Sequence, residues 1–124
     1  MPHILVIDDA PVIRRYHRHM LEQAGYQVAE AVNGMDAMEK LLQARFDLCL
    51  VDVNMPVMNG YAFLRRLRAT APVHGLPALM ISTEAAASDR QQALDAGANA
   101  YLVKPVPPPL LCGYVAAMLG GSPP

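Results

Sequence analysis

Residues 3–25 read HILVIDDAPVIRRYHRHMLEQAG, and this stretch sets the architecture of the chain. His3–Asp8 is a continuous, branched apolar run ending on a carboxylate, the pattern of a strand covered on both faces. Asp9-Ala10-Pro11 then reads as a cap with proline in the first helical turn. Ile13, Tyr16, Met20, Leu21 and Ala24 recur at helical spacing until Gly25 ends the pattern. A buried strand followed by an amphipathic helix is one βα unit, and four more follow. Tyr26–Val32 alternates as a weaker strand, and Asn33 can cap a helix with Ala37, Met38, Leu41 and Leu42 on its apolar face. Phe46–Val51 is a second buried strand, and the turn-like MPVMNG of residues 55–60 leads to a helix over Tyr61–Ala69. Leu76–Ile81 supplies a fourth strand, after which Ser88 and Gln91 have capping-box spacing before a helix that Gly97 stops. Ala100–Val103 is the fifth strand and Pro107–Leu119 the last helix. Five such units with short links predict an α/β fold, a doubly wound parallel sheet with helices on both faces.

Composition narrows the function classes. At 124 residues the chain has the length of one domain, and its 53% hydrophobic content can fill a core without disulfides or structural metal. Ten Lys and Arg against eleven Asp and Glu leave a formal charge of −1, so no net basic field awaits a nucleic acid. Cys49 and Cys112 lie in the apolar runs LCLV and LLCGYV, which match neither a disulfide framework nor a metal knuckle. They read as buried free thiols in a reducing compartment. The opening MPHILVIDDA reaches two aspartates too soon for a signal peptide, and no later run approaches a membrane span. A cytoplasmic protein without membrane or nucleic-acid partners is expected. Six of the eleven prolines fall between Pro105 and Pro124.

Four of the buried strands run straight into a reactive side chain: ILVI into Asp8-Asp9, LCLV into Asp52, LMI into Ser82, and YLV into Lys104. In a parallel sheet those carboxyl ends share one edge, where open α/β sheets bind ligands. Carboxylates, a hydroxyl and a lysine should therefore converge in one cleft. Close carboxylates repel by roughly 4 kcal/mol per pair at an effective dielectric near 20, and one lysine cannot neutralise three of them. A divalent cation can, and an all-oxygen ligand set suits Mg²⁺ rather than zinc. His17 and His19 are two apart on a helix and cannot face one site, while His3 and His74 lack a neighbouring partner, so all four read as solvated or structural. Mg²⁺ beside an aspartate, a lysine and a hydroxyl is equipment for phosphoryl transfer to a carboxylate. Asp52 is the best nucleophile, because it stands alone at the centre of the edge, and Asp8-Asp9 look like metal ligands. Singly, these residues have plainer readings: a helix cap, a solvated charge, a strand-end hydroxyl. Their joint placement carries the signal.

VIDDAP (6–11), VDVNMPVMNG (51–60), LMISTEA (79–85) and AGANAYLVKP (96–105), in this order and spacing, resemble the response-regulator receiver domain, in particular its stand-alone chemotaxis (CheY-like) members. The resemblance runs from His3 to Leu119. It implies a single flavodoxin-like (βα)5 three-layer sandwich with a five-stranded sheet in order 2-1-3-4-5, spanning 1–120, and a short flexible tail over 121–124. It implies Asp52 as phosphoacceptor. Asp9, Asp52 and the backbone carbonyl of Asn54 would hold Mg²⁺, with Asp8 acting through water. Lys104 would pair with the phosphoryl oxygens, ahead of a cis Lys104-Pro105 peptide. Ser82 fits the switch hydroxyl; Thr83 also carries one, but the run-up from Leu79 and the distance to Lys104 favour Ser82. Tyr101 matches the aromatic whose ring moves between exposed and inward rotamers, and its plainer reading is a half-buried strand aromatic. Asn54 and Glu84 match the pair that modulates dephosphorylation, as in rapidly resetting chemotaxis members.

The function so implied is that of a stand-alone two-component response regulator, a monomer with no attached effector domain. A sensor histidine kinase, a phosphotransfer domain or a small phosphodonor loads Asp52, Ser82 is drawn to the phosphoryl group, and Tyr101 moves into the vacated space. The face built from the last two βα units then changes its preference for a separate protein, with chemotaxis or motility as the pathway of the chemotaxis members. Such a chain catalyses only its own phosphorylation and dephosphorylation and is not otherwise an enzyme. The alternative is a phosphorelay intermediate or phosphate sink without output. A small aspartyl-phosphate phosphatase fits less well, because such enzymes usually place the nucleophile on the first strand in an Asp-x-Asp pattern and carry a cap insertion. In a flavodoxin-like cofactor binder, Asp8-Asp9-Ala10-Pro11 would repel the phosphate.

Two features depart from the family or stand outside it. Val106 replaces the usual Phe after Lys-Pro and is followed by Pro107-Pro108-Pro109, so the last helix should start unusually and the output face should differ. Arg14, Arg15, Arg18 and His19, with Arg65, Arg66 and Arg68, read either as a basic docking face or as solvated helix faces. Met35, Met38, Met55, Met58 and Met80 read as core or loop filler.

Overall fold

Ten elements alternate along the chain in a computed structural model that describes residues 1–120. They are β1 (His3–Ile7), α1 (Pro11–Gln23), β2 (Gln27–Ala31), α2 (Gly34–Gln43), β3 (Leu48–Asp52), α3 (Gly60–Arg68), β4 (Ala78–Ser82), α4 (Ala87–Ala96), β5 (Ala100–Val103) and α5 (Pro108–Met118). The tail expected over 121–124 lies outside the described residues. All neighbouring strands are parallel, and their order is β2-β1-β3-β4-β5, as the resemblance implied. The chain starts mid-sheet, adds β2 on one side and then builds outward on the other, so the winding reverses between β1 and β3. Their register pairs Ile7 with Val51, which sets the next residues, Asp8 and Asp52, side by side.

The apolar runs lack alternation because both sheet faces are covered. Leu5, Ile7, Cys49, Val51 and Met80 pack with Ala37 and Met38 of α2, Phe63, Leu64 and Leu67 of α3, and Ala93 of α4. Ile4, Val6, Leu48, Leu50, Leu79 and Ile81 face the other way, against Met20 and Leu21 of α1 and Leu111 and Val115 of α5. Fully burying one such Leu, Ile or Phe side chain stabilises the fold by about 1.5–3 kcal/mol. No described helix is long and apolar enough to cross a membrane.

Local chemistry agrees with the sequence reading at some helix ends and not at others. Asn33 caps α2 by accepting from the Asp36 N–H at 2.8 Å. Asn59 does the same for α3, accepting from Ala62 at 2.9 Å, inside what reads as a plain turn. Asp9 is not the cap of α1. That position belongs to Ala10, whose N–H donates to Asp8 Oδ1 at 2.9 Å. Ser88 does not cap α4 either, because the helix already starts at Ala87, after Ala86 in extended geometry. Ala87, a strong helix former, takes the first helical position and moves the start ahead of the serine. Pro107 precedes α5 in extended geometry, so Pro108 and Pro109 occupy the first turn, where no N–H is needed.

Tertiary packing corrects further expectations. The buried stripe of α1 is His17, Met20 and Leu21, while Tyr16 is 49% exposed and Ile13 37%. On α2, Leu41 is buried and Leu42 turns to solvent. Cys49 is fully buried, with its thiol pushed up to about 12 by desolvation, but Cys112 is only partly covered. A single basic face cannot form, since α1 and α3 pack on opposite sides of the sheet. Arg14 and Arg18 bind Glu30 at 2.6 and 2.8 Å. Arg68 turns inward to the carbonyls of Gly97 and Leu76, at 3.0 and 2.6 Å, and to Asn99 Oδ1 at 2.9 Å. Met38, Met55 and Met80 are buried and Met58 is partly buried in the loop before α3, as core or loop filler, whereas Met35 is exposed on α2 and is neither.

One backbone position is strained. Val57 has φ of 68°, and the Met58 N–H donates back to the Pro56 carbonyl at 2.7 Å, the bond of a γ-turn in its rarer, strained form. A β-branched residue is a poor choice there, and at 83% exposure its side chain gains little packing in return. Val57→Gly is therefore expected to stabilise the protein by about 0.5–1 kcal/mol, the relieved strain exceeding glycine's added freedom in the unfolded chain. A urea midpoint below that of the parent would contradict this reading.

Candidate functional site

Each polar residue at the upper edge is delivered by the end of a strand. Asp8 follows β1 and is 1% exposed; Asp52 ends β3 and is 4% exposed; Asp9 faces solvent. Carboxylate oxygens of all three lie within 4.8 Å of one another. Lys104 follows β5, and its backbone N–H donates to the Ser82 carbonyl at 2.7 Å. From there its ammonium donates to Asp52 Oδ1 at 2.7 Å and lies 3.5 Å from Asp8 Oδ2. The following Lys104-Pro105 peptide is cis, as the resemblance implied; Ala71-Pro72 is also cis, which sequence reading missed.

Close approach of α3 holds the cleft floor. A Cβ on Gly60 would come within 2.5 Å of the Asp52 carbonyl oxygen and 2.9 Å of Val53 Cα. The Gly60 N–H donates to the Val53 carbonyl at 2.9 Å, so the first turn of α3 rests directly on the end of β3. The signal for this was the glycine closing MPVMNG, read only as a turn.

Burial is the main reason the Asp52 carboxyl is pushed above the usual aspartate value. The Lys104 hydrogen bond opposes that shift, while the charges of Asp8 and Asp9 add to it. One cation thus faces three carboxylates in a half-enclosed cleft, and the excess negative charge fits a bound divalent cation. The donor set is all oxygen, which suits a hard ion such as Mg²⁺. Among the described residues this is the one such cluster, and no histidine belongs to it. His17 is instead buried in α1, where desolvation lowers its pKa and Nδ1 finds no partner. Asn54 is exposed two residues beyond Asp52.

Ser82 and Tyr101 meet through the backbone of Glu84. Ser82 is fully buried, and its Oγ accepts the Glu84 N–H at 3.1 Å. The Tyr101 hydroxyl donates to the Glu84 carbonyl at 2.7 Å. Tyr101 is 3% exposed, so its ring is fully inward rather than half-buried. The Glu84 side chain and Thr83 both lie at the surface.

The family profile of the response regulator receiver domain matches residues 4–116. The chain belongs to that family. Over 119 residues this receiver is 37% identical to chemotaxis protein CheY1 of Helicobacter pylori, covering 94% of the chain and 96% of that protein. It is 39% identical over 101 residues to the gliding motility regulatory protein of Myxococcus xanthus, covering 82% of the chain but 13% of that protein. Among solved structures, chemotaxis protein CheY4 of Vibrio cholerae superposes with a TM-score of 0.90 at 37% identity, over 95% of the receiver and 98% of that chain. The receiver domain of a sensor histidine kinase from Pseudomonas aeruginosa, with magnesium coordinated in its active site cleft, gives 0.89 at 31% identity, over 97% and 98%. Receiver domains act as phosphoacceptors, with histidine kinases and downstream targets as partners.

Proposed function

We propose that this receiver is a cytoplasmic, monomeric response regulator that accepts a phosphoryl group on Asp52 from a sensor histidine kinase, a phosphotransfer domain or a small phosphodonor. The observation that carries the reading is the 2.7 Å bond from Lys104 to Asp52 inside a cluster of three carboxylates. Asp9, Asp52 and the Asn54 carbonyl would hold Mg²⁺, with Asp8 acting through water. When bound, the ion supplies the positive charge that this cleft lacks for neutralising phosphoryl oxygens.

The chain's own residues do the rest. Lys104 holds Asp52 in place, ionised and aimed at the cleft. An Asp52 carboxylate oxygen attacks phosphorus as the bond to the donor's nitrogen or oxygen breaks, and the departing group takes that electron pair. Lys104 then transfers its contact to a phosphoryl oxygen. The Ser82 hydroxyl donates its proton to the phosphoryl group, and as Oγ shifts toward it the Glu84 N–H that it accepts is drawn along, so the Ser82–Glu84 turn moves. Because the Glu84 carbonyl receives the Tyr101 hydroxyl, that movement reaches the β4-α4-β5-α5 face and changes its affinity for a downstream protein. The change can be no larger than the phosphoryl group's differential interaction with the two states. Asn54 and Glu84 flank the site and set the rate of its hydrolysis, which gives a short-lived signal. Relatives named for chemotaxis and gliding motility support control of motility as the pathway.

Incubation with acetyl phosphate and Mg²⁺, followed by intact-mass measurement, tests the assignment. The wild type is expected to gain the mass of one phosphoryl group and Asp52→Ala none. Equal labelling of the two would remove Asp52 from the mechanism. A phosphoryl group persisting for hours at neutral pH with Mg²⁺ present would overturn the short-lived signal.

A further inference from the structure

Arg90 on α4 makes two contacts to one residue of β5. Its guanidinium carbon lies 5.4 Å from the centroid of the Tyr101 ring, and Nη1 donates to the Tyr101 carbonyl at 3.2 Å. Tyr101 is thereby held at three points: its carbonyl and ring face by Arg90, its hydroxyl by the Glu84 carbonyl. No carboxylate among the described residues forms an ion pair with Arg90, so its charge is free to act on the ring. Arg90 is itself exposed, so this contact requires no burial of its charge.

We propose that Arg90 is a positioning residue that latches Tyr101 inward, biasing the β4-α4-β5-α5 face toward its phosphorylated arrangement before Asp52 is loaded. The inference rests on the reading of Tyr101 as the moving aromatic. When the ring swings out, the contact to its face and the hydroxyl bond are both lost, while the Arg90 bond to the Tyr101 carbonyl can persist. Arg90 therefore stays anchored beside the ring's inward position and recaptures it. Phosphorylation then acts on an equilibrium already displaced toward the inward state, and the downstream protein sees a smaller contrast between the two forms.

Carbon-13 labelling of tyrosine rings tests this by NMR, with the Tyr101 signals assigned from their loss in Tyr101→Phe. In the unphosphorylated protein, Arg90→Ala is expected to lower the inward-to-outward ratio by about two- to fivefold, the effect of an exposed cation–π contact. Arg90→Lys keeps a cation and should recover part of the loss. Beryllofluoride with Mg²⁺, a mimic of the phosphoryl group, should return the Tyr101 signals of Arg90→Ala toward the inward position. Unmoved Tyr101 signals in unphosphorylated Arg90→Ala would overturn the latch. So would equal movement of the other four tyrosine rings, which reports general loosening. If beryllofluoride perturbs neither protein while Arg90→Ala still shifts Tyr101, the latch stands and the phosphoacceptor reading falls.

Discussion

Gly60→Ala is expected to cost about 3 kcal/mol of stability and to slow acetyl phosphate labelling of Asp52. The added methyl would sit 2.5 Å from the Asp52 carbonyl oxygen and 2.9 Å from Val53 Cα, and neither backbone atom can rotate away. The Met80 methyl, at 3.0 Å, could move alone, but the two backbone contacts require α3 to lift from β3. Lifting would lengthen the 2.9 Å bond from Gly60 to Val53 and shift Asp52, the proposed phosphoacceptor. Alanine's better helix propensity offsets at most about 1 kcal/mol of this. Gly113→Ala is the matched control. It lies within α5, where an added Cβ meets nothing within 4 Å, and there propensity alone should stabilise by about 0.5–1 kcal/mol. Urea unfolding separates the pair, and a Gly60→Ala midpoint equal to the parent's would refute the close-approach account.

Lys104→Ala should destabilise the protein by about 2 kcal/mol at neutral pH with chelator present, and added Mg²⁺ should restore much of the loss. Removing one partner of a buried ion pair costs about 3–5 kcal/mol, and the partial exposure of Lys104 reduces that figure. The pH dependence identifies the cause. Burial already raises the Asp52 pKa, so the folded state holds a proton that the unfolded state releases, and this group's contribution weakens as pH climbs from the ordinary aspartate value through the raised one. Without Lys104 the pKa rises further and the window widens. Parent and variant should therefore converge as the pH falls below the ordinary aspartate value of about 4, where Asp52 takes up its proton in both, and diverge toward neutrality. A gap independent of pH would assign the loss to the packing of the lysine stem instead.

The convergence of charged side chains at one sheet edge was legible in the sequence because its logic is one-dimensional. A strand buried on both faces must be apolar until it leaves the sheet, so the first polar residue marks its end. Parallel pairing then puts those ends on one edge, which is why Asp8, Asp52, Ser82 and Lys104 could be grouped before any contact was known. What failed depended on three dimensions. Ser88 has the chemistry of a cap, but whether it caps is decided by where the helix begins, which is one residue earlier, at Ala87. Ile13 and Tyr16 carry the right period, yet the buried stripe is rotated toward His17, and a histidine on that stripe masks its continuity. The arginines of α1 and α3 looked like one face because sequence does not say on which side of the sheet a helix lies. Tyr101 is inward through partners 11 and 17 residues away, Arg90 and Glu84, whose contacts no local pattern announces.

The Glu84 backbone is gripped on both sides of its Cα, by the Ser82 hydroxyl at its nitrogen and the Tyr101 hydroxyl at its carbonyl, while its carboxylate stands in solvent. On the proposed mechanism, transmission runs through main-chain atoms that any residue but proline would supply, whereas the clock is set by the side chain. Duration and transmission are thus separable traits within a single position, and a substitution there can retime the signal without rewiring it.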